Sequence, residues 1–343
     1  MELIPLDESL EASWDEFCTR AAGAWFWHRH TYREYTLAYR PHAHPRSLAF
    51  AVRDGGELVA AVPLMVEEHD DGRRFSFGGG PCWAPAVAPD LPPHRLERVL
   101  NEAFAHVDEL AGAHGVQSVS WRLTPLANDW GSYLPFFLAA TTRAGYADVS
   151  LTSSVIDVSR PIDEIRARMT KGHRSAITAA LRTGLSATVL TGAGTGPSFD
   201  AYRSMHARAA GRVTRPARTF ELMKEWLADE EAALVEAEYE GAPAGFAYLV
   251  LDAGRAYYGS AANEPEIGKL PVGQSLQNAA LTWLNARGFQ LYEIGLQQFG
   301  ELPYDLPSSK DLGLARFKRG FGGILRPLVT REKTFSVGPE DRT

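Results

Sequence analysis

At 343 residues the chain is long for one domain, and a prior of about 150 residues per domain predicts two; 45% hydrophobic residues with 8 Trp and 16 Phe suffice for two cores. A formal charge of −7 argues against wholesale binding to nucleic acid, DNA included, which favours basic surfaces. No stretch approaches the ~18 apolar residues of a membrane span, and Met1–Glu8 lacks the basic and apolar regions of a secretion signal, so the expectation is a cytoplasmic protein that does not use a membrane.

Residues 1 to about 40 read as helix, with Ser13 as N-cap before Trp14. Trp25, Phe26, Trp27, Tyr32, Tyr35 and Tyr39 are spaced for one or two helix faces, mostly core. Ser47–Val52, the turn Asp54–Gly56 and Leu58–Val66 read as a hairpin. Arg73–Phe77 adds a strand. The triple glycine Gly78–Gly80 after it is a turn leading off that strand or a ligand cradle, without the lysine of a P-loop. Pro92 or Pro93 opens a helix over Arg95–Ala113, ended by Gly115, and Gln117–Leu123 is the strand that follows. Pro135–Ala140 reads as a short helix. Thr152–Val158 is a strand crossing into the second domain. The predicted divisions are 1–150, 151–325, and a closing strand and tail 326–343 that returns to the first domain. With no low-complexity linker, the halves are expected to pack closely around a cleft.

After Pro161 a single helix is predicted. At about 100° per residue, Arg168, Lys171, Arg174 and Arg182 share a sector of about 120°, opposite Ile165, Met169, Ala176, Ile177 and Ala180. Thr191–Pro197 is a loop. Helices follow at Phe199–Ala210 and Glu221–Glu231, separated by the arginine-rich loop Arg212–Arg218. Gly245–Leu251 and Arg255–Ser260 bracket the turn Asp252–Gly254 as a second hairpin. Lys269–Ser275 opens a helix that runs to about Arg287 and stops at Gly288, and Phe289–Gly295 is another strand. Strand, turn, helix and strand make a βαβ unit whose helix start offers unpaired N–H groups to an anion; the plain alternative is an ordinary helix cap. The helix is apolar nearly all round, as a buried crossover is.

Cations gather in this half: Arg166 to Arg182, Arg203 to Arg218, and Lys310, Arg316, Lys318, Arg319 and Arg326. They either receive something anionic or form solvated faces balanced by the acidic run 221–240.

The order Trp25–Arg29, Arg168–Ile177, Tyr258-Gly259-Ser260, Pro271-Val272-Gly273, Tyr292–Gly295 and Phe317-Lys-Arg-Gly-Phe-Gly-Gly323 resembles the paired acetyltransferase-like (GNAT) domains of the FemAB/FemX-like family, the peptidoglycan-bridge aminoacyltransferases and their biosynthetic relatives. The resemblance covers nearly the whole chain. It implies an α/β (α+β) fold of two GNAT-like domains, each a central mixed sheet flanked by helices, and an acyltransferase activity. It also implies that Lys171 and Arg174 lie on the family's basic helix, and that Gly273, Gln274 and Ser275 form the turn that meets the donor phosphates. Lys171-Gly-His-Arg-Ser stands where the family often has R-N-x-R-R, and Leu270 where its turn has Gln or Arg.

Acyl transfer to an amine needs a cation or donor for the oxyanion and a base for the proton. Lys318 matches the family's lysine in F-K-x-x-F-G-G and is the candidate for the oxyanion or a phosphate. Tyr258 is a donor or acid. Glu293 or Asp305 is the base; Glu293 points away from the side of Tyr292 and Ile294, which suits a base or a partner for an arginine such as Arg316. Gln297, Gln298, Tyr304 and Arg316 are candidates for acceptor contacts. His206, among arginines on a helix, reads as a surface or ligand-orienting residue. No G-x-S-x-G or H-E-x-x-H motif occurs, and neither His28-x-His30, His42-x-His44 nor the pair Cys18 and Cys82 completes a metal set or a disulfide framework, so no metal is expected.

No permanently bound cofactor is expected. The acyl donor is a co-substrate: a phosphopantetheine thioester on an acyl carrier protein, acyl-CoA, or aminoacyl-tRNA. The acceptor is a small-molecule amine. The acidic overall charge tilts the choice to a thioester, and the family's best-known members tilt it to tRNA. A non-catalytic descendant that only binds an anionic precursor or partner protein is the other class.

Overall fold

The structure is a computed structural model that describes residues 1–335; positions 336–343 of the expected tail lie outside the described residues. The chain divides into two compact units, Met1–Leu151 with the segment from Pro327 onward, and Thr152–Arg326.

The first unit begins with a strand, β1 (Glu2–Pro5), where helix was predicted, followed by α1 (Glu11–Arg20) and α2 (His30–Tyr39). Ser13 lies inside α1. The turn into that helix is held by Asp7, whose carboxylate accepts from the N–H groups of Ser9 (3.0 Å) and Leu10 (3.2 Å). Then come β2 (Arg46–Ser47), β3 (Phe50–Asp54), β4 (Glu57–Val62), β5 (Met65–His69), β6 (Gly72–Phe75), β7 (Cys82–Trp83), β8 (Ala86–Val87), α3 (Pro93–His114), β9 (Val116–Leu123), α4 (Trp130–Arg143) and β10 (Ala147–Asp148). The predicted strand 58–66 is two strands. Pro63 has no N–H for a ladder, and the chain changes sheets there: β4 joins the order β1-β3-β4-β8, while β5 joins β9-β6-β5-β2. α3 packs on this core through Val99, Leu100, Phe104 and Val107, each such side chain contributing roughly 1.5–3 kcal/mol by burial.

The triple glycine is a turn that cradles the chain's own carboxylate. Glu67, fully buried, accepts from Gly78 N–H and Gly79 N–H at 2.8 Å each and from the Ser76 hydroxyl.

The second unit holds β11 (Leu151–Asp157), α5 (Ile162–Arg168), α6 (Lys171–Arg182), β12 (Ser186–Leu190), α7 (Gly196–Ala210), α8 (Ala217–Ala228), β13 (Ala232–Tyr239), β14 (Ala242–Asp252), β15 (Arg255–Asn263), α9 (Val272–Ala286), β16 (Leu291–Gln297) and α10 (Ser309–Arg319). The last strand, β17 (Ile324–Thr334), leaves it and pairs antiparallel with β9 from Val329 opposite Leu123 to Thr334 opposite Ser118. The sheet order is β12-β13-β14-β15-β16-β11. Only β15 and β16 in this order run parallel, because α9 carries the chain back between them. Leu276, Ala280, Leu281 and Leu284 of α9 pack on Leu249, Tyr292 and Ile294 of the sheet.

The helix predicted after Pro161 breaks. Met169 and Thr170 are extended (ψ 150° and 153°), and Thr170 caps α6 by accepting from His173 N–H. The single basic face expected across 168–182 therefore does not exist. α8 starts at Ala217, earlier than predicted, and the acidic stretch after it is β13, with Val235 and Ala237 buried and Glu238 exposed.

No helix of the described residues is long and apolar enough to cross a membrane.

Candidate active site

β15 and β16 form a fork. They pair at Arg255–Leu291, Ala256–Tyr292 and Tyr257–Glu293 and then part. β15 stays paired to β14 as far as Asn263, and β16 to β11 as far as Gln297. The cause lies one or two residues beyond the last pair. Tyr258 and Ser260 face Leu249 and Tyr248, leaving Gly259 as an extra residue, and Glu293 and Gly295 face Val155 and Ser154, leaving Ile294 as an extra residue. A bulge bends its strand and sharpens its twist. Two of them, offset by one residue, turn the strands apart and leave two facing backbone edges.

Polar side chains collect at the root of the fork. Glu293, 3% exposed, turns away from the core that takes Tyr292 and Ile294 and accepts from the Ser153 hydroxyl at 2.6 Å. Lys318 comes from the last turn of α10, and its Nζ lies over Gly295: a Cβ built there would stand 2.8 Å from it, at a φ of +105°. Burial lowers the pKa of the Lys318 ammonium below the ordinary lysine range, while the charge of Glu293 pulls it the other way. Tyr258 lies on the core side of β15. Burial pushes its hydroxyl up to about 12, with the Gln277 amide pulling it down, so it stays protonated at neutral pH and can donate. Gln277, on α9, accepts from the Tyr292 hydroxyl at 2.8 Å.

The other sequence candidates fall into separate settings. Gln297, 2% exposed, donates to Gly295 O (3.2 Å) and accepts from Arg319 (3.2 Å), which also bonds Gln298 O (3.2 Å) and lies over Phe299. It braces the end of β16. Asp305 is held by Gln298 Nε2 at 2.8 and 2.9 Å in the turn Leu302–Asp305. Tyr304 and Arg316 are exposed. α10 starts on a capping box, in which Ser308 accepts from Asp311 N–H and Asp311 from Ser308 N–H.

At the start of α9, Val272 N–H bonds Leu270 O (2.9 Å) and Ser275 N–H bonds Pro271 O (3.0 Å). That leaves the Gly273 and Gln274 amides as the donors an anion would meet. Gly273 also carries Phe317, whose Cζ would lie 3.0 Å from a Cβ there. Lys171 is exposed at the start of α6. Arg174 turns back, donating to Ala167 O (3.2 Å) and Met169 O, so it closes the end of α5. His206 is half-buried beside Tyr202 and Phe220, and burial and then Arg215 lower its pKa. His28 is buried against Ala84 O (2.8 Å), and His30 faces Asp15. Among the described residues no group of three or more His, Cys, Asp and Glu side chains could hold a metal.

Sequence reasoning missed Ser153, Gln277 and His173. Gly259 and Gly295 advertised the fork, since an isolated glycine inside a strand marks a bulge or a close approach.

Residues 167–318 match the family model described as the acetyltransferase (GNAT) domain. No curated protein matches the chain in sequence. Among solved structures, the crystal structure of FemX is 13% identical, with 98% of each chain covered and a TM-score of 0.71. L-PGS from Bacillus licheniformis is 14% identical over 95% of this chain and 91% of its own, at a TM-score of 0.59. A tandem GNAT protein from the clavulanic acid biosynthesis pathway is 17% identical over 99% of each chain, at 0.55. The fold is that of tandem GNAT proteins, and the stretch that matches the acetyltransferase (GNAT) model lies within the second unit.

Proposed function

We propose that this chain, a tandem GNAT fold with an acetyltransferase domain in its second unit, is an N-acyltransferase that moves an acyl or aminoacyl group from an activated, phosphate-bearing carrier to an amine of a small molecule. The observation that carries the reading is the fork, with Lys318 and Glu293 at its root. Its two open backbone edges suit an extended arm bearing amide groups, as phosphopantetheine is. This favours a thioester of an acyl carrier protein or CoA, with the Gly273 and Gln274 amides as phosphate donors. Lys171 and Arg316 are exposed cations available to the carrier or the acceptor.

The chemistry follows from the residues. A neutral amine attacks the thioester carbonyl, the C–N bond forms, and charge develops on the carbonyl oxygen. Lys318 as ammonium or the Tyr258 hydroxyl stabilises that charge, an effect worth about 10²- to 10³-fold for one donor. Glu293 takes the amine proton as the C–S bond breaks, and that proton is returned to the departing thiolate, directly or through solvent, which leaves Glu293 ready for the next cycle.

The test offers acyl-CoA, acylated carrier protein and aminoacyl-tRNA with a panel of amines, following thiol or tRNA release and the amide product. Transfer that falls about 10²-fold or more in Lys318→Ala and in Glu293→Ala, with donor binding retained, supports the assignment. Turnover that neither substitution changes refutes it. tRNA binding that persists near ~150 mM salt and weakens steeply as salt is raised moves the donor to aminoacyl-tRNA. Binding without transfer from any donor marks a non-catalytic descendant.

A further inference from the structure

Two segments of the second unit, 168–174 and 317–322, interlock. Thr170 N–H donates to Gly320 O at 2.9 Å. His173 Nε2 meets Phe317 O at 3.0 Å, and His173 Nδ1 meets Thr170 Oγ1 at 3.3 Å. A carbonyl only accepts, so Nε2 carries the ring proton and Nδ1 accepts from the threonine. The ring stands edge-on to Phe321 at 4.4 Å and lies 5.4 Å from Phe317. It fills the space a side chain at Gly320 would take: a Cβ there would be 2.3 Å from His173 Cε1. At Gly322 a Cβ would be 2.4 Å from Arg168 O.

Lys318 sits between these anchors. The last carbonyls of a helix have no intrahelical partner, and the last turn is the part of a helix that frays. Here the Phe317 carbonyl accepts from both Gly320 N–H (3.1 Å) and the His173 ring.

We propose that His173 is a positioning residue, holding the last turn of α10 so that Lys318 stays over Gly295 within the field of Glu293. The hydrogen bonds of His173 go to Thr170 and Phe317 and not to Lys318 or the fork; it acts through the Phe317 carbonyl. Burial keeps the ring below the ordinary imidazole range, against the pull of that carbonyl, so at neutral pH it is the neutral donor and acceptor the clamp requires. The consequence for turnover rests on the acyl-transfer reading, whereas the positioning does not.

The experiment therefore reads Lys318 directly. Full-length wild type, His173→Ala, His173→Gln and Gly320→Ala are labelled competitively with acetic anhydride from pH 7 to 11, and Lys318 is quantified by mass spectrometry, with circular dichroism and a melting curve as fold controls. Wild-type Lys318 titrates below about 10.4, the ordinary lysine value, and labels slowly. In His173→Ala and Gly320→Ala the midpoint rises toward the ordinary lysine range and labelling speeds several-fold. Gly320 lies at a φ of −58°, which alanine accepts, so that variant displaces the ring without removing it. His173→Gln, whose amide can donate to the Phe317 carbonyl, restores the wild-type curve. Folded Ala variants with an unchanged Lys318 midpoint overturn the proposal, and so does a Gln variant that behaves like Ala. Where the acyl-transfer reading also holds, kcat falls about tenfold with KM unchanged in the Ala variants and recovers in the Gln variant. A wild type inactive with every donor counts against that reading and leaves the labelling result standing.

Discussion

Gly295→Ala probes the site at its tightest point. The added Cβ would sit 2.8 Å from Lys318 Nζ, against about 3.5 Å for an unstrained contact, so the ammonium must retreat by roughly 0.7 Å. Nζ ends a flexible chain, and this movement is cheap. Backbone strain costs more: φ of +105° is a conformation an L side chain rarely adopts, and holding one there costs of order 1–3 kcal/mol. The expected loss is about 2 kcal/mol, or a urea midpoint lower by about 1 M at an m-value near 2 kcal/mol per M. Lys318 labelling in the same variant reports the displaced ammonium. Lys318→Ala combined with Gly295→Ala separates strain from clash, because the double variant keeps the backbone strain and loses the contact with Nζ. A Gly295→Ala protein within about 0.5 kcal/mol of wild type, with Lys318 labelling unchanged, refutes the account.

Two further predictions concern the first unit. Burial holds the His28 imidazole down to about 4 from 6.5, so between those values the unfolded chain binds the extra proton. Stability is whole above about pH 6.5 and falls by about 3 kcal/mol as pH drops through 4; urea titrations from pH 7 to 4 show that slope, and His28→Gln should flatten it. Glu67→Ala strips the acceptor from two glycine N–H groups and the Ser76 hydroxyl. At about 1.5–3 kcal/mol per bond to a charged acceptor, less the relief of a buried charge, it should cost about 2–4 kcal/mol of stability, and a loss under about 1 kcal/mol would show that Glu67 does not hold the turn.

Punctuation made parts of the second unit legible. Asp252–Gly254 marks the hairpin and Gly288 the end of α9, and both lie between long apolar runs. The wheel count after Pro161 failed because a helical wheel assumes the continuity it is meant to test. Thr170, a good N-cap residue three before His173, was the local sign of a second helix start. β13 was hidden by its acids: 221–240 drew a reading of charge, while the alternation of Val235 and Ala237 with Glu236 and Glu238 carried a period of two. The settings of Asp305 and Arg174 follow from partners five to seven residues away across a chain reversal, Gln298 and the end of α5, and no helix or strand period specifies those.

The glycines around α10 show why the closing motif has its composition. Read as sequence, Gly273, Gly295, Gly320 and Gly322 are turn, cap and strand-end signals. In the structure each is a place where another segment comes too close for a Cβ: Phe317 on Gly273, Lys318 on Gly295, His173 on Gly320, and the Arg168 backbone on Gly322. Three of the four contacts involve residues 317–320, so the end of α10 is seated by side chains meeting missing side chains. Such a seat tolerates little drift, since an added methyl at any of the four must displace the partner or the backbone. A long, flexible lysine is a poor choice for a fixed charge unless its base is held. The Phe317 ring on one side of Lys318 and the His173 contact on the other hold it, which is the condition for a charge to be in place before the reacting carbonyl arrives.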